Sequence, residues 1–453
     1  MRIIIIGCGK VGRTLAQQLS EENHDIVIVD TNSKKLQEFN EEVDAICVAG
    51  NGASISVLEE AGIDVADVLI AVTGSDELNL LCCLVARKVS QCRTIARVRN
   101  PVYQKDINFI KESMGISMII NPEYTTAKEI AMLLRFPSAI QIDTFAGGSV
   151  QIVKFKLLPE FGMSGQPMYK LADRLPKVLI CAVERDEMIA IPRGDFVLQD
   201  NDLVSIVAAH EDCQRFFRDL GLSTRPVKNA LIVGGGTLGY YLAQQLGESK
   251  IDVRIVERDR SRCELLCETL PAVSVINGDG SDRKILLQSG FLSAQAIVSL
   301  TPIDEENIFL AQFAKDRTKA KLVTKVNRLA FDSIIQKLDI GSVVYPKYIT
   351  ADNILQYVRA MQNEVGGSVQ TLCHILDNRA EALEFSVKPD SLVANMTLAQ
   401  LSRRLKKDLL VCSINHNGNV IIPKGQDSIQ PGDTVIIVTT QKGLQDINDI
   451  LAR

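Results

Sequence analysis

Two stretches of the 453-residue chain carry three glycines at the spacing G-x-G-x-x-G. They are Gly7-Cys8-Gly9-Lys10-Val11-Gly12 and Gly234-Gly235-Gly236-Thr237-Leu238-Gly239. Each follows a short apolar run and opens a helical pattern. That placement suits phosphate binding. The first glycine permits a tight turn, the second lets the main chain approach a pyrophosphate, and the third lets the helix pack on the sheet. The free N–H groups of the helix N-terminus then attract the phosphates. An acid completes each set. Asp30 and Glu257 end the next apolar run, about 20 residues on. A carboxylate there accepts hydrogen bonds from adenosine ribose hydroxyls and repels a 2′-phosphate. Arg258 weakens that repulsion in the second set. The residues predict two sites for NAD(H) or another adenine nucleotide.

Further positions fall at the carboxyl ends of later apolar runs, where such sheets bind ligands. They are Thr73, Gly74, Arg97 and Arg99 in the first set, and Thr301, Lys325 and Asn327 in the second. Arg97 and Lys325 are equivalent cations, suited to a phosphate, a solvated strand end or an interdomain ion pair. Asn51 and Asp279 follow the third run, near the expected place of adenine, and also fit simple turns. No catalytic constellation accompanies these sites. The histidines His24, His210, His374 and His416 recur at no equivalent places and read as surface or structural residues. No metal-ligand spacing is present. An NAD-dependent oxidoreductase of Rossmann type is the alternative reading, and the missing acid–base pair counts against it.

The elements that must hold these residues follow from an internal repeat. The two glycine motifs are offset by 227 residues (234 − 7). Leu15-Ala16-Gln17-Gln18-Leu19 recurs as Leu242-Ala243-Gln244-Gln245-Leu246. Thr73–Asn79 pairs with Thr301–Asn307, and Pro122-Glu123-Tyr124 with Pro346-Lys347-Tyr348. In the first copy, apolar runs at Arg2–Ile6, Asp25–Val29, Ala45–Val48, Val68–Val72, Thr94–Val98 and Ser117–Ile120 alternate with helical patterns. Shorter alternating segments follow each copy. Ile189–Gly194 matches Val420–Gly425, and Asp202–Val207 matches Asp433–Val438. The predicted fold class is α/β, with two Rossmann-like doubly wound parallel-sheet domains, each followed by a small α+β domain. The expected limits are 1–136, 137–224, 228–360 and 361–453. Breaks are expected near Phe136-Pro137, Ser223–Pro226 and Gly366-Gly367-Ser368.

Composition bounds the partners. The net charge is −5, which argues against nucleic acid as a partner. Most of the 11 cysteines sit in apolar runs, Cys47 among them, and read as small buried hydrophobes of a reducing compartment. The opening Met1–Ile6 reads as a buried strand, not a secretory signal. No apolar run reaches the ~18 residues of a spanning helix, so membrane work would need another chain.

The tandem order of glycine motif, acid and small following domain resembles the RCK, or KTN, family of Trk-type potassium-uptake regulatory proteins. The resemblance covers essentially the whole chain. It implies a homo-oligomer, dimer or tetramer, on the cytoplasmic face of the inner membrane. Its partner there would be a TrkH/TrkG-type potassium-translocating membrane protein, gated in response to NAD(H), ATP or ADP. Asn51 departs from the acid often found in that turn, which Asp279 keeps.

Overall fold

The architecture is that of a computed structural model. It describes residues 1–452 except 42, 44, 146–147, 176, 187, 223–224, 328–334, 336–337, 365–368 and 376–378, and except the side chains of 173, 360, 362–364 and 370–375. The expected breaks at Ser223-Thr224 and Gly366–Ser368, and the side chain of His374, lie outside the described residues. Contacts divide the chain into two compact units. One holds 1–131, 228–332 and 343–355, the other 132–227, 333–342 and 356–453.

The first unit contains both doubly wound sheets. In the first repeat, β1 (Arg2–Ile6), β2 (Asp25–Asp30), β3 (Ile46–Ala49), β4 (Val68–Ala71), β5 (Arg93–Arg97) and β6 (Met118–Ile120) lie in the order β3-β2-β1-β4-β5-β6, and all pairs are parallel. Helices α1 (Lys10–Glu21), α2 (Ser33–Asn40), α3 (Ile55–Glu60), α4 (Asp76–Val89), α5 (Pro101–Gln104), α6 (Ile107–Ser113) and α7 (Pro122–Arg135) connect or follow them. Parallel strands covered by helices on both faces need apolar side chains on both faces. Ile3, Ile4 and Ile5 accordingly bury completely. The expected strand ends move by a residue or so. Asp30 joins the ladder opposite Ala49, whereas Val72 leaves it, keeping only its N–H bond to the Ile6 carbonyl. β3 is an edge strand whose Ile46 is 49% exposed, so its apolar run was the weakest guide to its ends.

Within the other unit, β7 (Gln141–Phe145), β8 (Val150–Lys156), β9 (Leu179–Arg185), β10 (Met188–Ala190) and β11 (Leu203–Ala209) form an antiparallel sheet with α8 (Met168–Arg174) and α9 (His210–Asp219). The second doubly wound sheet, in the first unit, repeats the β3-β2-β1-β4-β5-β6 order with β14-β13-β12-β15-β16-β17. Its elements are β12 (Asn229–Val233), α10 (Thr237–Glu248), β13 (Asp252–Glu257), α11 (Arg260–Thr269), β14 (Ser274–Asn277), α12 (Arg283–Gln288), β15 (Ala296–Ser299), α13 (Asp304–Lys315), β16 (Lys321–Lys325), β17 (Ser342–Val344) and α14 (Pro346–Glu364).

The second antiparallel sheet holds β18 (Val369–Ile375), β19 (Ala380–Ser386), β21 (Leu409–His416), β22 (Asn419–Ile421) and β24 (Thr434–Thr439). β20 (Met396–Thr397) and β23 (Ser428–Ile429) pair separately, and the short α15 (Leu398–Leu401) follows β20. The two antiparallel sheets share one core, with Ile152, Cys181 and Val207 packed among Ala382, Cys412 and Ile436. The turn between β21 and β22 is the hairpin its composition suggests: Asn417 and Gly418 both take positive φ. Among the described residues no helix is long and apolar enough to cross a membrane.

Candidate nucleotide sites

Both glycine loops sit where the strand order reverses, beside β1 and β4 and beside β12 and β15, the point at which such sheets leave a crevice. Gly7 has φ +112°, and a Cβ there would lie 3.1 Å from the main chain of Val72 and Thr73. Gly234 matches it at φ +110° against Leu300. A Cβ on Gly12 or Gly239 would collide with the carbonyl of Gly7 or Gly234, so the third glycine is required by close packing. The middle glycine differs. A Cβ on Gly9 or Gly236 would meet nothing within 4 Å. No protein contact demands glycine there, and the space it leaves is the space a phosphate would need. Gly9 and Gly236 also cap α1 and α10 without any side-chain hydrogen bond, and neither first turn holds an acid. Among the described residues, no side chain of the cap or first turn accepts from these N-terminal N–H groups.

The acids are braced on the loops. The Cys8 N–H donates to Asp30 Oδ2 at 2.7 Å and the Asn32 N–H to Oδ1 at 2.8 Å. In the second repeat the Gly235 N–H donates to Glu257 Oε2 at 2.7 Å and the Asp259 N–H to Oε1 at 2.8 Å. The longer glutamate thus reaches the same two places as the aspartate. Cys8 itself is buried, its thiol 3.6 Å from the Lys35 carbonyl and pushed up in pKa by burial. Lys10 is exposed at the start of α1, Val11 is half-buried, Thr237 is half-buried and Leu238 is buried. The loop of the second repeat has an added tie, since Arg262 Nε donates to the Gly235 carbonyl at 2.9 Å.

The residues at the later strand ends come together through two side chains in each repeat that the motifs and spacing did not single out. Asn79 Oδ1 accepts from the Thr73 N–H and hydroxyl at 2.8 and 2.7 Å, and its amide donates to the Arg97 carbonyl at 2.9 Å. Asn307 Oδ1 accepts from the Thr301 N–H at 2.9 Å and its amide donates to the Lys325 carbonyl at 3.0 Å, while the Thr301 hydroxyl donates to the Ile303 carbonyl instead. Asp76 accepts from the N–H groups of Arg99 and Asn100, and Asp304 from Asn327. Their signal was present in the repeat, as Asp76/Asp304 and Asn79/Asn307 are identical pairs. A Cβ on Gly74 would meet nothing within 4 Å, and the Gly74 carbonyl accepts from Arg99 at 2.6 Å.

Arg97 is not a free strand-end cation. Its guanidinium lies 3.5 Å from Glu123, its Nε has no hydrogen-bond partner among the described residues, and burial pulls its pKa down. Lys325 donates to the Leu300 carbonyl at 3.1 Å, and burial lowers its pKa too. Asn51 and Asp279 are turn acceptors: Asn51 takes the Ala53 N–H, and Asp279 takes the N–H and hydroxyl of Ser281. The Ser281 N–H bond holds the Asp279 carboxyl below its usual range.

The described histidines have structural partners. His24 is buried near the N-terminal amine and Glu22, the structural one of the two places expected for it. His210 contacts Gln151 and Gln214, and His416 contacts Asp433 at 2.7 Å. Eight of the described cysteines are buried, but Cys47, on the edge strand, is only half-buried and Cys267 is exposed.

The chain matches the TrkA-N domain family over residues 3–122 and 230–346, and the TrkA-C domain family over 153–221 and 382–452. It is 32% identical over 448 residues to the Trk system potassium uptake protein TrkA of Haemophilus influenzae, covering 98% of this chain and 96% of that one. The chain belongs to the TrkA family. A homolog from Methanosarcina mazei is 30% identical over 99% of each chain. Among solved structures, the GsuK channel bound to NAD superposes with TM-score 0.63 at 20% identity, over 98% of this chain and 77% of that one. The GsuK RCK domain superposes with TM-score 0.62, over 98% and 93%. The tandem Rossmann-like fold is shared with both.

Proposed function

We propose that this TrkA-family chain is the nucleotide-sensing regulatory subunit of a Trk-type potassium uptake system. It takes NAD(H) and ATP or ADP in its two glycine-loop sites and acts by binding, not by turnover. The carrying observation is the loop geometry: in both repeats the middle glycine faces open space while the ribose-binding acid is already braced on the loop. The names of the relatives support the potassium-uptake role. Solved GsuK structures with NAD and with ADP support the ligand class.

The site residues are those quoted from the sequence. Gly7–Gly12 and Gly234–Gly239 hold the pyrophosphate, and Asp30 and Glu257 hold the ribose. Asn51 and Asp279 lie at the adenine, and Thr73, Gly74, Thr301, Arg97 and Lys325 border the distal half. The limits 1–136, 137–224, 228–360 and 361–453 divide nucleotide domains from their companions. The chain works as a homo-oligomeric dimer or tetramer on the cytoplasmic face of the membrane, against a TrkH/TrkG-type potassium-translocating protein. A nucleotide that binds one arrangement of the domains more tightly shifts the population toward it by its difference in binding free energy.

Calorimetric titration of the intact chain with NADH, NAD, ATP and ADP tests this, beside Asp30→Ala and Glu257→Ala. Saturable binding reduced by one site in each variant is expected. An intact chain that binds none of the four overturns the proposal.

A further inference from the structure

The two glycine loops differ in how they are fastened to the helix that follows the acid. In the second repeat four hydrogen bonds form a closed ring. The Gly235 N–H donates to Glu257 Oε2 at 2.7 Å, and the Asp259 N–H donates to Oε1 of the same carboxylate at 2.8 Å. The Asp259 carboxylate accepts from the Arg262 N–H at 2.8 Å, and Arg262 Nε returns to the Gly235 carbonyl at 2.9 Å. The first repeat makes three of these links. The Cys8 and Asn32 N–H groups meet Asp30 at 2.7 and 2.8 Å, and Asn32 Oδ1 accepts from the Lys35 N–H at 3.3 Å. Lys35 corresponds to Arg262 at the offset of the glycine motifs, 227 residues (262 − 35). The fourth link is different. Among the described residues no side chain donates to the Cys8 carbonyl, and the Cys8 thiol donates instead to the Lys35 carbonyl at 3.6 Å. A thiol is a weak donor, whereas a guanidinium is a charged and strong one.

Two further observations give Arg262 a role beyond the link itself. A trans peptide holds its C=O and its N–H on opposite sides. With the Gly235 carbonyl turned to the guanidinium, the Gly236 N–H of the same peptide is turned away from it. Gly236 is the glycine with open space beside it. The preceding peptide is fixed as well, through the Gly235 N–H, so two successive peptides of the loop have set orientations. The loop also lies directly on α11: a Cβ on Gly235 would come within 2.6 Å of Leu266 Cδ1 and 3.1 Å of Glu257 Cβ. The second observation is that Arg262 Nη2 is buried with no hydrogen-bond partner among the described residues. A buried charged group left partly unsatisfied costs free energy. A polyanion nearby offsets that cost, because opposite charges attract more strongly where water is excluded.

Resting on the nucleotide-sensor reading, we propose that Arg262 is the positioning residue of the second site. It ties the ribose-binding acid to the phosphate-binding peptide, so the loop meets a diphosphate in its bound orientation and with a cation behind it. The ligand class this favours is an adenine nucleotide that carries a pyrophosphate, NADH and ADP alike. The first loop, closed by a thiol, sets the same peptide only when ligand arrives. Setting a loop in advance raises affinity by removing an ordering cost. The effect falls on the phosphates and not on the nucleoside, since Glu257 is braced by the Gly235 and Asp259 N–H groups without Arg262.

The test uses the full-length chain carrying Asp30→Ala, which leaves the second site, with ADP and adenosine as probes. Calorimetry follows ADP, and saturation-transfer NMR follows adenosine at millimolar concentration. Arg262→Ala is expected to weaken ADP about tenfold and adenosine by less than about twofold. Retained adenosine binding shows that the site is still folded. Arg262→Lys keeps the charge and a donor but not the planar fork, and should recover about threefold of the loss. Equal weakening of both probes, ADP binding unchanged by Arg262→Ala, or a lysine variant no better than the alanine one overturns the role of Arg262 while leaving two nucleotide sites standing. ADP binding by the intact chain that Asp30→Ala abolishes removes the second site, and this inference with it. Absence of binding to the intact chain overturns the sensor reading itself.

Discussion

Glycines at one motif do different work, and substitution separates the roles. Gly9 has φ −84° and ψ −171°, a conformation open to alanine, with no neighbour for the added methyl. Gly9→Ala should therefore change stability by within about 1 kcal/mol, since a slightly poorer N-cap is offset by a less flexible unfolded chain. It should nevertheless abolish nucleotide binding at the first site, because the methyl occupies the phosphate's space. Gly12→Ala forces a methyl against the Gly7 carbonyl and should cost about 1–3 kcal/mol. Paired thermal unfolding and calorimetry check both. Two variants with the same stability loss would mean that the middle glycine is a packing residue after all. At this scale the sequence was a good guide to the loops and their acids, because spacing and residue type determine them. It was a poor guide to Asn79 and Asp76, whose roles depend on which strand ends lie side by side. Nor does spacing alone show that Arg97 is turned onto Glu123.

Between elements, the decisive contact is a single hydroxyl. Tyr241, 1% exposed, joins α10 to the Arg99 carbonyl and to Asn121 of the first repeat. Tyr241→Phe keeps the ring contact with Tyr124 but leaves a carbonyl and an amide short of a partner. A loss of about 1–3 kcal/mol is expected in thermal or urea unfolding. No change would mean that water replaces the hydroxyl.

The lysines nearby give a pH dependence with a definite sign. Burial lowers the Lys325 pKa below its usual value, with Asp304 and Glu123 opposing the shift and Lys10 adding to it. A bound phosphate favours the protonated lysine. Binding then takes up a proton, and nucleotide affinity at the second site should fall as pH rises through the depressed pKa toward about 10.4, the ordinary lysine value. Arginine stays charged over that range, so Lys325→Arg should flatten the profile. Nucleotide titrations at several pH values decide it, and a profile that Lys325→Arg leaves unchanged would remove Lys325 from the site. The strands were legible as elements because continuous apolar runs mark covered parallel strands. Their ends were not, since the ladder decides whether Asp30 joins and Val72 leaves.

Across the whole chain, a duplication lets one polypeptide carry two versions of one site, and the repeat was readable because its motifs recur in order. The interlock of the two repeats through α7 and α10 was not readable, since no local pattern shows which helices of two copies face each other. That interlock makes a thermodynamic demand. If occupancy of the first site changes the arrangement of α7 against α10, it changes the affinity of the second site, and the second must change the first by the same factor. Titrating NADH into the chain with and without saturating ATP, and ATP with and without saturating NADH, should return equal coupling factors, of about 5-fold or more in affinity. Tyr241→Phe should bring both factors toward unity together, because the hydroxyl joins α10 to the strand end at Arg99. Coupling that survives Tyr241→Phe undiminished would place its route elsewhere in the chain. Equal factors of one in the intact chain would show that the two sites bind their ligands independently.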